Sequence, residues 1–461
     1  MKQMNLPKWW ISLSFLAVFC GPLLTYAENL PPLPAGPLLL TSVKPAQLDP
    51  DYWIKRLPEP DRVIKTPAEM EKFNEEIRGM IRECVDVFKL DRTRPGRQIS
   101  DQLQLEYNTL KGRVLFGADD KPVPKTFFEK QIRPLVVWEN VPKTIKMKWG
   151  AAARATSVRA LPSNVKMIED RGDYEFDQLQ FTLIKLWTPV GIFYESSDGQ
   201  WLYIQAPYVR GWVKAKDIAV FSSRDELKRY VKSKNFLSVT GESIPVFSDA
   251  GLSKVVMRVT MGTILPLAAS AKEGAAYTVW LPLRGTKGSV SLTKAYVNGK
   301  SDVTKGFLSY TQRHIIQQAF KLLGVRYGWG GMYNGRDCSG FTHDVFLSLG
   351  VAMPRDSKQQ AFIGTQLSHF EPFEGEKDKT AFLRQATPGL TLLRMPHHMM
   401  LYLGEENGNF YVIHATWAER ISMTSDEKNR INQVVVSDLN LNGKSRIGSL
   451  FDRIITMNEV N

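Results

Sequence analysis

The stretch YGWGGMYNGRDCSG, residues 327–340, combines a glycine-rich aromatic loop with a cysteine, Cys338. Apolar residues recur at intervals of four after it, which predicts a helix that begins at the cysteine with Asp337 as its N-cap. Free amides and the dipole at a helix start favour negative charge, so we expect this thiol to ionise more readily than a free cysteine. Cys338 is therefore a candidate nucleophile.

Two histidine positions downstream could complete a site with this cysteine. His397 and His398 open one apolar strand-like run, and His414 lies in the next one. Such a set can supply a nucleophile, a base and a residue that orients the base. Side chains alternate along a strand, so only one of the adjacent histidines can share the face of His414. A two-residue Asn407-Gly408 turn favours His397 and a five-residue loop over 405–409 favours His398, so the turn alone leaves both open.

Composition and charge narrow the classes of protein and partner. The 461 residues suffice for about three domains at roughly 150 residues each. Hydrophobic residues make up 43% and charged residues 23%, which is typical of packed globular domains. A net charge of +13 favours an acidic partner, such as anionic lipid or wall polymer, although a dispersed basic surface explains it equally well. No basic run with interleaved aromatic residues indicates nucleic acid.

The first 27 residues have the layout of a secretory signal peptide. Lysines precede an apolar run over 9–19, and small residues lie three and one before a possible cleavage after Ala27. We therefore expect export to the periplasm, the cell envelope or the outside. Cys20 could mark a lipoprotein, but Phe19 is bulky where such sites need a small residue. The run also falls short of the ~20 residues that span a membrane.

Residues 28–148 predict a proline-rich lead and a helical segment. Thr66-Pro67-Ala68-Glu69 forms a capping box with proline at the first helical position. Apolar residues then recur every three or four positions as far as Phe88, and they predict one long amphipathic helix. Cys84 lies on its apolar face and is predicted to be a packed thiol. Only Cys84 and Cys338 remain after signal removal, so no disulfide framework is indicated.

The rest of the chain predicts two β modules and a mixed domain. Short alternating segments separated by turn residues occupy 149–222 and again 235–300, which favours two small all-β barrels. Residues 306–461 combine a helix, the cysteine loop, the cysteine helix and several strands. The predicted fold is thus multidomain, with an α+β C-terminal domain preceded by two barrels and a helical segment.

The motifs YGWGG, DCSG, HMMLYLG and VIHA, in this order, resemble the NlpC family of papain-like cysteine peptidases that cut bacterial cell-wall peptides. The sequence RGWVKAKD, residues 210–217, looks like the closing strand of a bacterial SH3-like barrel. Members of this family combine an N-terminal stabilising segment and two such barrels with the peptidase. The resemblance implies a papain-like peptidase domain over 306–461, with SH3-like modules that narrow access to the site or recognise the wall.

The resemblance also implies roles for individual residues. Cys338 is similar to the family's nucleophile, His398 to its general base and His414 to the residue that orients the base. The Tyr327 hydroxyl would join backbone amides in stabilising the oxyanion. The implied substrate-binding residues are Asp337 and Ser339, which would hold the free amine of an N-terminal L-alanine, together with Trp329 and Ser357, which would line the pocket.

No cofactor or metal is predicted. The His397-His398 pair lacks the HExxH or CxxC spacing of zinc sites, and His397 is most simply a neighbour of the base. His343 lies on the cysteine helix away from its apolar face, so we expect it to be solvated.

The activity implied by the resemblance is cleavage between γ-D-glutamate and a diamino acid such as diaminopimelate, through a thioester, in peptidoglycan stem peptides or muropeptides. Two alternatives stay open. One is an inactive wall-binding or scaffolding protein, and the other is an amidase or acyl transferase with the same nucleophile. The sequence does not separate intact wall from released fragments, or the producer's wall from a competitor's.

Overall fold

The N-terminal part of the protein is helical, as its capping signals predict. The structure, a computed structural model, describes residues 36–268, 275–373 and 375–461. The predicted signal peptide and Cys20 lie outside these ranges. The helices of this part are α1 (Pro50–Ile54), α2 (Pro67–Met80), α3 (Gly96–Gly112) and α4 (Lys125–Phe127), which a π-helical turn continues over Phe128–Ile132.

Helix α2 begins at the predicted capping box but ends early. Thr66 Oγ1 accepts from the Glu69 amide at 3.3 Å, and the Glu69 carboxylate accepts from the Thr66 amide at 2.8 Å. The helix stops at Met80, whereas the apolar spacing predicts one that reaches Phe88. Cys84 and Phe88 are nevertheless buried, from the loop and turn that follow. The spacing correctly predicts burial and not the helix end, because a loop can bury side chains at the same intervals.

The first β module is a single seven-stranded antiparallel sheet preceded by a small ribbon. The ribbon pairs β1 (Thr93–Pro95) with β2 (Thr144–Lys146). The strands of the module are β3 (Lys148–Ala152), β4 (Thr156–Arg159), β5 (Gln180–Ile184), β6 (Pro189–Glu195), β7 (Trp201–Ala206), β8 (Val209–Lys214) and β9 (Ile218–Phe221). They are ordered β5-β4-β8-β7-β6-β3-β9.

Helix α5 (Arg224–Val231) connects this module to a second one built from two sheets. One sheet has the order β13-β10-β16 and the other β12-β11-β15-β14, where the strands are β10 (Phe236–Val239), β11 (Ser243–Phe247), β12 (Val255–Thr260), β13 (Ile264–Pro266), β14 (Ala276–Arg284), β15 (Val290–Asn298) and β16 (Val303–Lys305). The indole of Trp187 donates to the Trp280 carbonyl at 2.8 Å and joins the two modules.

The C-terminal domain places the cysteine helix on a six-stranded antiparallel sheet. The helices are α6 (Gln312–Phe320), α7 (Cys338–Leu347), α8 (Ser357–Gln360) and α9 (Glu376–Gln385). The strands are β17 (Thr365–His369), β18 (Thr391–Met395), β19 (His398–Glu406), β20 (Asn409–Arg420), β21 (Lys428–Asp438) and β22 (Thr456–Glu459), in the order β17-β22-β18-β19-β20-β21. Helix α7 packs on β19 and β20.

The helical segment packs on this sheet as well as on the first module. The rings of Trp53 and Tyr411 lie 5.4 Å apart, and the Glu406 carboxylate accepts from Gln47 at 2.8 Å. Leu103 and Tyr107 of α3 belong to the same apolar core as the first module. In the described residues, no helix has both the length and the apolar character to cross a membrane.

A buried charge network joins the cysteine helix to both β modules. Lys185 Nζ of the first module lies 2.9 Å from Asp344 on α7 and 3.1 Å from Thr260 of the second. Arg336 lies 3.1 Å from Asp344 and 3.3 Å from Glu242 of the second module. Burial opposes the charge of Asp344, but Lys185, His343 and Arg336 outweigh it and hold the pKa of this carboxyl below its usual range. The domains are therefore held in a fixed arrangement around α7.

We predict that Asp344→Asn destabilises the protein by about 3–5 kcal/mol, because two cations would be left buried without their shared counter-charge. Urea denaturation followed by fluorescence measures this free energy. Asp61→Asn, which breaks the exposed ion pair with Arg313, is the matched control and should leave the midpoint unchanged. Equal midpoints for the two variants would contradict a structural role for the network.

Candidate active site

The Cys338 thiol lies where the start of α7 meets the start of β19. Cys338 is the first residue of the helix, and its side chain is buried. Its Sγ is 3.9 Å from the backbone oxygen of His397, and the Met399 amide hydrogen-bonds to the sulfur. His398 is the residue between these two backbone groups. The fold thus brings the predicted nucleophile next to the chain segment that carries the predicted base.

Asp337 caps the helix and is fully engaged. Its Oδ1 accepts from the Gly340 amide at 2.7 Å, and its Oδ2 accepts from the Gly330 amide at 2.8 Å and from Arg355 at 2.6 Å. Arg355 also donates to Ser339 Oγ at 3.0 Å. Arg355 therefore already binds both Asp337 and Ser339, the two residues that, by the resemblance, would hold the amine of the substrate. An incoming ammonium would have to share or displace the guanidinium.

The two histidines that face each other are His398 and His414. His398 Nε2 lies 2.6 Å from His414 Nδ1, and His414 Nε2 lies 3.0 Å from Ser437 Oγ on β21. His397 is solvent-exposed and has a left-handed backbone with φ 63°. The geometry groups His398 with His414 and leaves His397 on the rim of the site.

A β-bulge produces this pairing. The turn between β19 and β20 is the two-residue Asn407-Gly408 turn, with positive φ at both positions. Regular pairing from such a turn would put His414 on the face of His397. The register shifts between Tyr402 and Gly404, however, so that one extra residue reverses the alternation beyond it. His398 therefore faces His414.

The hydrogen-bond series can keep His398 ready to act as a base. If His414 donates from Nε2 to Ser437 Oγ, its Nδ1 is an acceptor for the Nε2 proton of His398. This arrangement leaves Nδ1 of His398 unprotonated. Burial, followed by the charge of Arg453, lowers the pKa of His398 to about 3. The imidazole is thus neutral over the physiological pH range.

The expectation of an easily ionised thiol is wrong for the protein at rest. Burial raises the pKa of Cys338 to about 12, and the negative charge of Asp337 adds to this effect. The amides of Met399 and Ser339 act in the opposite direction but are outweighed. The helix start therefore does not decide the state of this thiol, which is neutral at physiological pH, as is the imidazole of His398.

A cleft of about 550 Å³ opens onto the thiol and is walled by three parts of the chain. Among the predicted binding residues, Trp329 and Ser357 line it, as do Asp337 and Ser339. The Trp329 indole is fixed by donation to the Asp177 carbonyl at 3.0 Å. Tyr327 is buried, and burial followed by the charge of Cys338 raises its pKa.

Several cleft residues come from outside the C-terminal domain, and sequence reasoning did not find them. Gln180 of the first module donates to the Gly330 carbonyl at 2.9 Å, and a Cβ on Gly330 would lie 2.6 Å from the Gln180 side chain. Arg210 of the same module and Glu106 of α3 line the same cleft. No local pattern marks these positions, because each reaches the cysteine only through the packing of separate domains.

His343 is a correction to the sequence analysis. It is buried, not solvated, and its ring packs on Tyr208 at 4.6 Å. The β modules cover the face of α7 that points away from its own sheet. The spacing of apolar residues along one helix does not reveal such a cover from other domains. Across the described ranges, no three His, Cys, Asp or Glu side chains are grouped so as to hold a metal ion.

Two family matches cover separate parts of the chain. Residues 167–214 match the SH3 domain of the SH3b1 type, and residues 324–440 match the NlpC/P60 family. A structural neighbour is the solved NlpC/P60 endopeptidase from Photobacterium damselae subsp. piscicida, with a TM-score of 0.72, 17% identity, and coverage of 92% of this chain and 99% of that one. At this identity the likeness concerns the fold, and it confirms the predicted multidomain α+β architecture.

Two curated relatives are similar to parts of this chain. The chain is 34% identical over 107 residues to the gamma-D-glutamyl-L-lysine dipeptidyl-peptidase of Bacillus cereus. This match covers 23% of this chain and 29% of the relative. The chain is also 31% identical over 145 residues to the protein of the same name from Bacillus subtilis. That match covers 31% of this chain and 42% of the relative. The chain thus spans less than half the length of either relative.

We predict that alkylation of Cys338 by iodoacetamide accelerates about tenfold per pH unit from pH 7 to pH 10, because the thiolate fraction keeps rising toward a pKa of about 12. Mass spectrometry of the labelled peptide separates Cys338 from Cys84. Free glutathione provides the control, since its rate levels off as an ordinary thiol ionises. A plateau for Cys338 near pH 8 would show that the folded protein stabilises the thiolate.

Proposed function

We propose that this chain, which carries an NlpC/P60 domain at residues 324–440 and an SH3 domain at residues 167–214, is a cysteine endopeptidase acting on peptides of bacterial peptidoglycan. The observation that carries the proposal is the hydrogen-bonded series His398, His414 and Ser437. The series begins at His398, and backbone groups of its two neighbours, His397 and Met399, contact the Cys338 sulfur. A thiol, a neutral imidazole and an orienting partner are the parts that thioester chemistry requires.

The reaction follows from these groups. His398 removes the thiol proton as the sulfur attacks the peptide carbonyl carbon, which forms a tetrahedral oxyanion. Backbone amides at the start of α7 and the Tyr327 hydroxyl stabilise that charge. The C–N bond then breaks, and the departing amine takes the proton from His398. Water, deprotonated by the same imidazole, hydrolyses the thioester and restores the thiol.

The proposed scissile bond joins γ-D-glutamate to a diamino acid. The name of the two Bacillus relatives, gamma-D-glutamyl-L-lysine dipeptidyl-peptidase, supports this choice, and the chain is 34% and 31% identical to them over the matched residues. Diaminopimelate is the diamino acid that we propose here. Export through a signal peptide at residues 1–27 would take the enzyme to the compartment where its polymer lies.

The cleft walls favour a role for the first β module in access to the site. Gln180 and Arg210 come from that module and Glu106 from α3, so a bound peptide would contact all three parts of the chain. We propose that this arrangement narrows the entrance. Wall recognition by the module is the second role compatible with the sequence.

We predict that the mature chain releases L-Ala-γ-D-Glu from L-Ala-γ-D-Glu-diaminopimelate and that Cys338→Ala abolishes this release, because the proposed thioester forms on this thiol. Mass spectrometry of the free tripeptide and of whole muropeptides, incubated in parallel, measures both. Preference for the tripeptide indicates fragment recycling, and cleavage within intact stems indicates wall remodelling. A folded, reduced protein that cleaves neither would favour the binding-module or acyl-transferase alternative.

We also predict that His398→Ala lowers kcat by about 10³-fold or more, whereas His397→Ala lowers it by less than about 10-fold, because only His398 lies in the hydrogen-bonded series. The adjacent histidines are matched controls for each other. Initial rates on the tripeptide, with circular dichroism to verify folding, test this assignment. A larger loss for His397→Ala would reverse it.

A further inference from the structure

Arg210 is a pre-positioned cation in the wall of the cleft that contains the thiol. It lies on β8 directly opposite Gln205 on β7, and its Nε donates to Gln205 Oε1 at 2.9 Å. Gln205 is itself buried and donates to the Ala206 carbonyl at 2.8 Å. The guanidinium also lies over the ring of Phe193, 5.5 Å from its centroid. These contacts fix the direction of the side chain before any ligand arrives.

The outer end of this guanidinium has no partner among the described residues. There, Arg210 hydrogen-bonds through Nε to Gln205 and forms no ion pair within 4.0 Å. A half-buried guanidinium whose two terminal nitrogens are not engaged is suited to bind a planar anion such as a carboxylate through two parallel hydrogen bonds.

Two other charged groups of the cleft, Arg355 and Glu106, have partners of their own. Arg355 is bound to Asp337 and Ser339. Oε1 of the Glu106 carboxylate accepts from Tyr203 and from Gln102, each at 2.7 Å, while Oε2 is buried without a hydrogen bond among the described residues. Burial raises the pKa of Glu106, and the two hydrogen bonds and the charge of Arg210 oppose this shift. Neither oxygen hydrogen-bonds to Arg210.

We infer that Arg210 is a specificity-determining residue that binds a free carboxylate of the peptide substrate, most directly the α-carboxylate that a γ-linked glutamate leaves unbonded. This inference rests on the proposed function. A γ-linkage places that carboxylate a few bonds from the carbonyl that the thiol attacks, inside the same cleft. The terminal diaminopimelate carries two further candidate carboxylates, one on the α-carbon, which a lysine would keep, and one on the side chain, which a lysine would lack. The chemistry of both toward a guanidinium is the same.

The test compares three tripeptides: L-Ala-γ-D-Glu-diaminopimelate, the same peptide amidated at the glutamate α-carboxyl, and the same peptide with L-lysine in place of diaminopimelate. For Arg210→Met we expect kcat/KM on the first peptide to fall about 10- to 100-fold, the loss typical of one charged hydrogen-bonding group. Activity on the amidated peptide should be unchanged. The wild type should therefore discriminate between the acid and the amide, and the variant should not.

Arg94→Met is the matched control. Arg94 lies over the same Phe193 ring, 5.7 Å from its centroid, but it is not part of the cleft wall formed by the described residues. This variant loses the same charge and the same kind of ring contact, and we expect it to keep the wild-type discrimination. Equal losses on all three peptides for Arg210→Met would overturn the inference, because they would reveal either a structural role or a contact with the terminal α-carboxylate that all three peptides share. If the variant loses discrimination only against the lysine peptide, the assignment to glutamate is overturned and Arg210 binds the side-chain carboxylate of diaminopimelate.

Binding measurements separate this inference from the proposed function. Cys338→Ala, with and without Arg210→Met, is titrated calorimetrically with L-Ala-γ-D-Glu and with its α-amide. Tighter binding of the acid that depends on Arg210 supports the carboxylate site even if the wild type cleaves nothing, in which case the proposed function fails alone. Equal affinity for the acid and the amide in the presence of Arg210 would overturn the inference even if cleavage is observed.

Discussion

The geometry of the site depends on the carboxylate of Asp337. One oxygen holds the first turn of α7 through the Gly340 amide, and the other holds the glycine loop through the Gly330 amide. Arg355 bonds to the same carboxylate and donates to Thr182 of the first module at 2.8 Å. A buried carboxylate with charged and amide donors is worth far more than an exposed one, because no water competes for it. A single side chain therefore fixes the helix start, the loop and the neighbouring module relative to the thiol.

The same contacts explain why the first module is part of the site and not a separate appendage. Gln180 of the first module donates a hydrogen bond to the glycine loop, and the Trp329 indole of that loop donates to the Asp177 carbonyl of the module. Lys185 of the same module forms an ion pair with Asp344 in the buried charge network. Separating the domains would break each of these hydrogen bonds and ion pairs and would expose the apolar surface packed around them. The cleft is thus preformed by the folding of the whole chain, and its walls need no rearrangement to present Arg210.

The sequence predicts the local structure around each site residue better than it predicts how these residues are placed relative to one another. Local patterns correctly place Cys338 at a helix start and the histidines on neighbouring strands, because caps and alternation act over a few residues. The choice between His397 and His398 depends on a bulge between Tyr402 and Gly404, which no turn rule reveals. The burial of His343 and the cleft position of Arg210 depend on packing between domains. The sequence segments around these two residues do not specify that packing.

Burial is also what decides the chemistry of the thiol, and it suits the compartment that we propose. Dipole and amides at the start of α7 would stabilise a thiolate, but desolvation and the charge of Asp337 prevail, while Arg355, whose charge favours the thiolate, is engaged by that same aspartate. A neutral thiol reacts slowly with oxidants and disulfides, because the thiolate is the reactive species. An exported enzyme, as we propose, would meet an oxidising environment, and both described cysteines are free and buried. In the proposed mechanism, deprotonation by His398 is coupled to attack on the substrate, which would keep the thiol unreactive until a peptide carbonyl occupies the cleft.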